Sequence, residues 1–235
     1  MLAETYAMTK RGVMEYLRER LPGLETLGIK SFRQLEELVQ EKGNQDFQLP
    51  EVDPVPPPPR AVRVIHDGHT VKVPKPVVVI DTREREGFAY TFERFPKWFA
   101  GVERATLRAG DYSIQGMEDR LAIERKSLPD LVNSVIGDRM RFLAQCKSLA
   151  ARRRKAIVIE AGLAQVKSPY PESMAHPNAV VGTLIALQER WDIQVIWCDT
   201  AELAEETVAH ILSKHYTLQW LKDNKLPRHF VDGDI

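Results

Sequence analysis

Apolar residues change their spacing twice along the chain, and the changes divide it into regions. Over residues 1–49, Val13, Leu17, Leu21 and Leu24 recur at helical intervals, and Phe32, Leu35, Leu38 and Val39 repeat the pattern. Each set falls on one face of a helix, with Leu21-Pro-Gly-Leu24 and Gly28 as breaks, so 1–49 reads as a small helical unit. Leu49 to Arg60 then runs LPEVDPVPPPPR, six prolines in twelve residues. Proline neither donates into a sheet nor continues a helix, and a stiff linker is expected over 50–60. Val62–His66 and His69–Val73 flank Asp67-Gly68. That dipeptide suits the positive φ angles of a two-residue turn, so 61–75 reads as a β-hairpin.

From Lys75 onward, short β-branched runs alternate with helical spacing. Val77–Ile80 has the character of a buried central strand. Val102–Ile114 and Arg120–Arg125 read as two strands around a turn at Gly116. Ser127, with Pro129 in the first turn and Asp130 three positions on, opens a helix that Gly137 ends. Asp138 opens a second helix running to about Arg153. Ala156–Glu160 is a strand, Ala179–Glu189 a helix and Ile193–Cys198 a strand, and Asp199 with Glu202 caps a last helix to about His215. This order predicts an α/β fold, a mixed central sheet flanked by helices, preceded by the small N-terminal helical unit.

Composition narrows the classes. At 43% hydrophobic and 28% charged, the chain has enough apolar surface for a core, which excludes a mostly disordered protein. No apolar run approaches the roughly 20 residues of a membrane span, and the first residues lack a signal core. An intracellular protein is expected, in cytoplasm or nucleoid, or in the nucleus of a nucleated cell. Cys146 and Cys198 stand alone, so neither a disulfide framework nor a CxxC zinc site is available. Basic and acidic residues balance at 33 each. Nucleic-acid binding therefore has to be argued from where the charges sit.

Neither GxxxxGK[ST] nor GxGxxG occurs, which leaves nucleotide-binding readings without support. The distinctive chemistry lies at strand ends: Ile80-Asp81-Thr82-Arg83-Glu84, Gly110-Asp111-Tyr112 and Ile123-Glu124-Arg125-Lys126. Alternation along a strand puts Glu124 and Lys126 on one face and Arg125 on the other, while Asp81 and Arg83 share a face. If the three strands are neighbours, Asp81, Asp111 and Glu124 converge beside Lys126. Clustered carboxylates are costly to desolvate without a cation, and such oxygen-rich sites suit Mg²⁺ or Mn²⁺. The metal acidifies a bound water and neutralises charge developing on a phosphate, with the lysine positioning that water or steadying the pentavalent oxygens. Phosphodiester hydrolysis needs this arrangement. The bland alternative is that each acid is a helix cap or a surface charge. His66 and His69 would face each other across the hairpin turn, where cross-strand packing is the better reading than a metal pair. With 8 basic against 10 acidic residues over 1–60, the N-terminal unit reads as helix packing rather than a phosphate-binding helix-hairpin-helix.

The combination of Asp81-Thr-Arg-Glu84, Gly110-Asp111, Glu124-Arg-Lys126 with Asp130, and then Asp138-Arg139 and Phe142-Leu-Ala-Gln-Cys146, resembles the XPF family of structure-specific endonucleases. The likeness covers about residues 76–165 by motif and extends to about 217 by pattern. It implies a restriction-endonuclease-like PD-(D/E)XK fold over 76–217, with 218–235 as a tail. It also implies incision of one DNA strand near a duplex–single-strand junction of flap or fork type, in repair or recombination. Carried over by motif, Asp81, Asp111 and Glu124 are expected metal ligands for Mg²⁺ or Mn²⁺, with Lys126 the catalytic lysine. Arg83 and Arg125 would hold phosphate or order the site, Glu84 would act through a water, and Asp130 is shared between motif and helix cap. From Asp138 to Lys155 there are seven basic residues and one acidic. Arg139, Arg152, Arg153, Arg154 and Lys155 are expected DNA contacts.

The family's tandem helix-hairpin-helix module finds too few residues after the last expected helix, so the N-terminal unit or a partner would supply that grip. The resemblance also implies pairing through the late region, where Trp191, Trp197, Tyr216, Trp220 and Leu221 gather; a homodimer is expected before a heterodimer. The competing readings are a noncatalytic DNA-binding or scaffold subunit, and a related junction resolvase or restriction-type nuclease.

Overall fold

The structure is a computed structural model, and it describes residues 33–34, 63–170 and 173–226. Contacts divide the chain into two compact units, Met1–Asp53 and Pro54–Ile235. The expected N-terminal helices and the proline-rich linker lie outside the described residues.

Strands β1 (Arg63–His66) and β2 (His69–Lys72) form an antiparallel hairpin in which His66 stands opposite His69. Asp67 and Gly68, at φ 49° and 76°, supply its turn. A six-stranded sheet follows in the order β4-β3-β5-β6-β7-β8, from β3 (Val77–Asp81), β4 (Gly101–Ala105), β5 (Tyr112–Ile114), β6 (Leu121–Lys126), β7 (Arg154–Ile159) and β8 (Gln194–Trp197). β3 runs parallel to β4 and antiparallel to β5; β5 is antiparallel to β6; β6, β7 and β8 run parallel. This is the mixed sheet expected from the alternation of elements.

Helices cover both faces because the central strands are apolar on both. On one face pack α1 (Leu128–Ile136), α2 (Arg139–Ala150) and α4 (Pro177–Trp191), through Leu131, Val135, Phe142, Cys146, Leu184 and Leu187 against Ala122, Ile157 and Ile159. The other face carries α5 (Ala201–Asp223) and the aromatic loop 82–100, whose Tyr90, Phe92, Phe95 and Phe99 close over Val78, Ile80, Tyr112, Leu121, Ile123 and Val158. A one-turn helix, α3 (Leu163–Val166), joins β7 to α4. No helix among the described residues is long and apolar enough to cross a membrane.

Three expectations change. Val102–Ile114 is not one strand: β4 and β5 lie on opposite sides of β3, so residues 106–111 cross over the end of β3. The Leu107 amide donates to Asp81 Oδ2 during that crossing (2.7 Å). The second helix ends at Ala150, and Arg154 and Lys155 belong to β7. The last helix is capped by Thr200, which accepts from the Leu203 amide, and it runs on to Asp223. Its extension is held by the hairpin: Leu221 packs with Val64 and Val73, flanked by Tyr216 and Trp220.

Candidate active site

β3, β5 and β6 are consecutive neighbours, so the three motif segments meet at one end of the sheet. The Asp81 amide donates to the Asp111 carbonyl (2.8 Å) and the Asp111 amide to the Ile123 carbonyl (2.8 Å). The backbone ladder therefore passes through the candidate residues. Ile80, Tyr112 and Ile123 face the α5 side. Alternation turns Asp81, Asp111 and Glu124 to the α1–α2 side. Gly110 makes this register attainable. Its φ is +72°, and a Cβ there would sit 2.9 Å from the Ile123 carbonyl oxygen and 3.0 Å from the Ile123 nitrogen. Any other residue would push the Asp111 backbone off β6.

Within this group the carboxylates have different surroundings. Asp81 is buried, and both of its oxygens are engaged. Oδ1 accepts from the Arg83 amide (2.7 Å) and Arg83 Nε (2.7 Å), and Oδ2 accepts from Arg83 Nη2 (2.9 Å) and the Leu107 amide (2.7 Å). Burial alone would raise its pKa, but these donors outweigh it and hold the carboxyl below its ordinary value. Asp111 goes the other way. Desolvation and then the charge of Glu124 push it well above the usual carboxylate range, against the opposing Arg125 amide and Lys126. The Arg125 amide donates to Asp111 Oδ2 (2.7 Å).

Lys126 Nζ lies 3.0 Å from Glu124 Oε1 and 2.9 Å from Asp130 Oδ2. Burial works against its ammonium, yet Glu124 and Asp130 hold its pKa above the ordinary lysine value, so Lys126 is held as a cation between two acids. Asp130 lends only its amide to the Ser127 cap (3.4 Å) and spends its side chain on Lys126. Phe142 and Cys146, one turn apart on α2, back this group. The Lys126 ammonium stands 6.0 Å from the Phe142 ring centroid. Burial and Glu124 push the Cys146 thiol up to about 12.

Among the described residues, no three His, Cys, Asp or Glu side chains gather as a metal-holding group. Asp81, engaged by Arg83, does not join Asp111 and Glu124. That pair still suits a hard divalent cation, which needs few protein carboxylates and keeps several waters. A second positive charge beside Asp111 would relieve the repulsion that raises its pKa.

Arg125 leaves the group, as alternation requires. On the α5 face its Nε and Nη2 clasp Glu160 (2.6 and 3.0 Å), and Nη1 reaches Glu84 Oε1 (3.2 Å). Tyr90 donates to Glu160 Oε1 (2.7 Å), and the Arg125 guanidinium lies 5.4 Å from the Tyr90 ring centroid. Arg125 thus orders the strand end and does not face a phosphate on the carboxylate side. Sequence reasoning did not single out Glu160 or Tyr90. The signal for Glu160 was present, since Ile157-Val-Ile-Glu160 ends an apolar strand in an acid just as Val78-Val-Ile-Asp81 does.

The basic residues are not brought to the carboxylates. Arg139 donates to Thr183 Oγ1 (3.0 Å) and tethers α2 to α4. Arg154 pairs in register with Leu121, and Ile159 with Lys126. The register sets Arg154 three residues and Lys155 two residues short of the level of Glu124, about 10 and 7 Å along the strands at 3.3 Å per residue, with Arg152 and Arg153 farther toward the opposite end of the sheet.

The family model for the ERCC4 domain matches residues 80–211, more than half of the chain. The chain belongs to the ERCC4 domain family. The matched span opens at the end of β3 and contains Asp81, Asp111, Glu124, Lys126, Asp130 and Glu160. The β1–β2 hairpin and the C-terminal half of α5 lie outside it. A protein of Methanocaldococcus jannaschii that bears the name of an ATP-dependent RNA helicase is 28% identical over 145 residues, which are 61% of this chain and 16% of that protein. The chain thus spans about a sixth of that relative's length. XPF from Aeropyrum pernix in complex with DNA aligns at a TM-score of 0.47 and 22% identity, covering 62% of this chain and 66% of that one. XPF from the same organism without DNA aligns at 0.46 and 20%, covering 64% and 69%. Membership in the ERCC4 family supports a nuclease of the DNA-repair type.

Proposed function

We propose that this ERCC4 domain is a divalent-metal-dependent DNA endonuclease that cuts one strand near a duplex–single-strand junction, of flap or fork type. The observation that carries the reading is the adjacency of β5 and β6, which sets Asp111 and Glu124 on one face with the Lys126 ammonium 3.0 Å from Glu124. Mg²⁺ or Mn²⁺ bound by that pair would supply Lewis-acid charge to the scissile phosphate and acidify a water. Asp111 and Glu124 would hold the ion. Lys126, oriented by Glu124 and Asp130, would steady charge on the phosphate oxygens. Asp81 fixes Arg83, whose exposed guanidinium (side chain 68% exposed) is placed to meet a phosphate. Asp81 is thereby moved from the expected ligand set to a positioning role. The same reading keeps the expected homodimer and action inside the cell.

A noncatalytic DNA-holding subunit is the second reading, and one observation favours it: Asp81 has no oxygen to spare for an ion. Cleavage of end-labelled flap, splayed-arm, single-stranded and linear duplex DNA, with Mg²⁺, Mn²⁺ or EDTA, separates the readings. The expected result is metal-dependent incision near the junction, lowered at least a thousandfold in Asp111→Asn, since metal and charge stabilisation supply several kcal/mol of the barrier. Equal cutting of linear duplex would favour a restriction-type nuclease. DNA binding with no cutting in any metal would favour the noncatalytic subunit.

A further inference from the structure

The end of the sheet opposite the carboxylates carries a concentration of cations that the proposed cleavage does not use. Two cavities meet at Arg153. One, of about 560 Å³, is lined by Arg153, His215, Leu218, Gln219, Leu221, Lys222, Lys225 and Leu226. Its lining contains three formal positive charges, a histidine and no carboxylate, over an apolar floor. The other, of about 330 Å³, has Arg153, Arg154 and Lys155 around it, with Asp192 as its single acid.

Neighbouring carboxylates do not neutralise this region. Asp223 is engaged by Arg120 (3.0 Å) and Gln219 (2.6 Å). Asp119 stands 3.9 Å from both Arg108 and Arg152. Asp192, 3.9 Å from Lys155, is fully exposed. Two buried polar atoms, His215 Nε2 and Arg152 Nε, have no hydrogen-bond partner. Burial and then the charges of Arg154, Arg153 and Arg120 hold the His215 imidazole below its ordinary pKa, the response to a local field that is positive on balance. Cations at Lys222 and Lys225 complement the C-terminal dipole of α5. That dipole gives no reason for Arg153, which comes from the α2–β7 turn, or for a partnerless imidazole facing it.

Gathered cations, like gathered carboxylates, call for a counter-charge. We propose that this groove is a second phosphate-binding site, which holds a stretch of nucleic-acid backbone remote from the carboxylate end. Arg153, Lys222 and Lys225 supply the charge, and His215 lines the groove with a buried ring nitrogen that has no hydrogen-bond partner. Lys222, Lys225 and His215 lie beyond residue 211, where the family match stops. The groove gives the chain a second hold, about 13 Å along the strands from the level of Glu124 at Arg153, or about four base-pair rises. The inference rests on the reading that the chain acts on DNA, but not on its cutting it.

Arg153, Lys222 and Lys225 are exposed, so Arg153→Gln/Lys222→Gln/Lys225→Gln should fold, with circular dichroism as the check. The full chain would be titrated into fluorescently labelled 24-bp flap DNA in EDTA from 50 to 300 mM salt, followed by anisotropy. The triple variant is expected to bind about tenfold or more weakly at 100 mM salt. Its log–log salt slope should be shallower by about two to three, one phosphate contact per charge removed. Arg153→Lys/Lys222→Arg/Lys225→Arg, which keeps the charges, should restore both. An unchanged slope overturns the proposal. So does calorimetric binding of inorganic phosphate that the triple variant loses while its DNA slope stays intact, because the groove would then serve a free anion. Cleavage reports separately: loss of slope in a protein that never cuts upholds the groove without the nuclease, and Asp111-dependent cutting with an unchanged slope upholds the nuclease without the groove.

Discussion

Glu124 and Lys126 on one face of β6, and Arg125 between them on the other, meet opposite fates. Arg125 is closed into a network in which Glu160 and Glu84 accept from its guanidinium while Tyr90, lying against it, donates to Glu160, with its side chain only 14% exposed. On the Glu124 face the charges are left out of balance: Lys126 is shared by two acids, and Asp111 is forced toward its protonated form. Three charged residues in a row thus divide into one that stabilises the strand end and two that keep it reactive. Local repulsion in a folded protein is commonly retained where a ligand will relieve it.

The sharpest way to break the comparison is to cut the balanced side. Glu160→Gln removes the charge opposite a buried guanidinium and should destabilise the fold by about 3–5 kcal/mol, read as a lowered denaturant midpoint. A change below about 1 kcal/mol would mean that Glu84 alone balances Arg125. Gly110→Ala comes next. The positive φ and the contact with Ile123 should cost about 1–3 kcal/mol, and metal-dependent cleavage should fall further than stability, because Asp111 moves with its neighbour. Equal losses would reduce Gly110 to a turn residue.

The smallest effect has the opposite sign. Asp111→Asn should raise stability in EDTA at neutral pH, because the amide carries no charge to desolvate or to repel Glu124, seen as an increase in Tm. For a carboxylate whose folded pKa is raised, its contribution is complete below the unfolded pKa and is lost as pH rises toward the folded one. The wild-type protein should therefore lose stability as pH rises through that window, and Asp111→Asn should flatten the loss. Asp81, held low, works in reverse: its contribution is present above the ordinary carboxylate pKa and fades as pH falls. Added Mg²⁺ should stabilise the wild type by mass action and leave the variant unmoved.

The sheet was legible because β3 and β7 are short β-branched runs, and the two faces of β6 because side chains alternate whatever the fold. The ends of elements were less so. Val102–Ile114 reads as one strand until Asp81 is seen to take the Leu107 amide, a contact between residues far apart in sequence that turns the chain across β3. The run Arg152–Lys155 looked like an extension of the motif because it is near it in sequence. Parallel pairing of β6 and β7 carries it to the far end of the sheet, and no local pattern encodes that distance. Glu160 escaped notice because its partner, Arg125, had been given a different task.

Two acids of the candidate site also grip main-chain amides: Asp111 holds that of Arg125, and Asp81 those of Arg83 and Leu107. The charge state of each carboxylate is consequently written onto a named proton in the ¹⁵N–¹H spectrum. Arrival of an ion at Asp111 would register at Arg125, and displacement of the Arg83 clasp at Leu107, so the two halves of the site can be followed separately in one titration with no label beyond the nitrogen isotope.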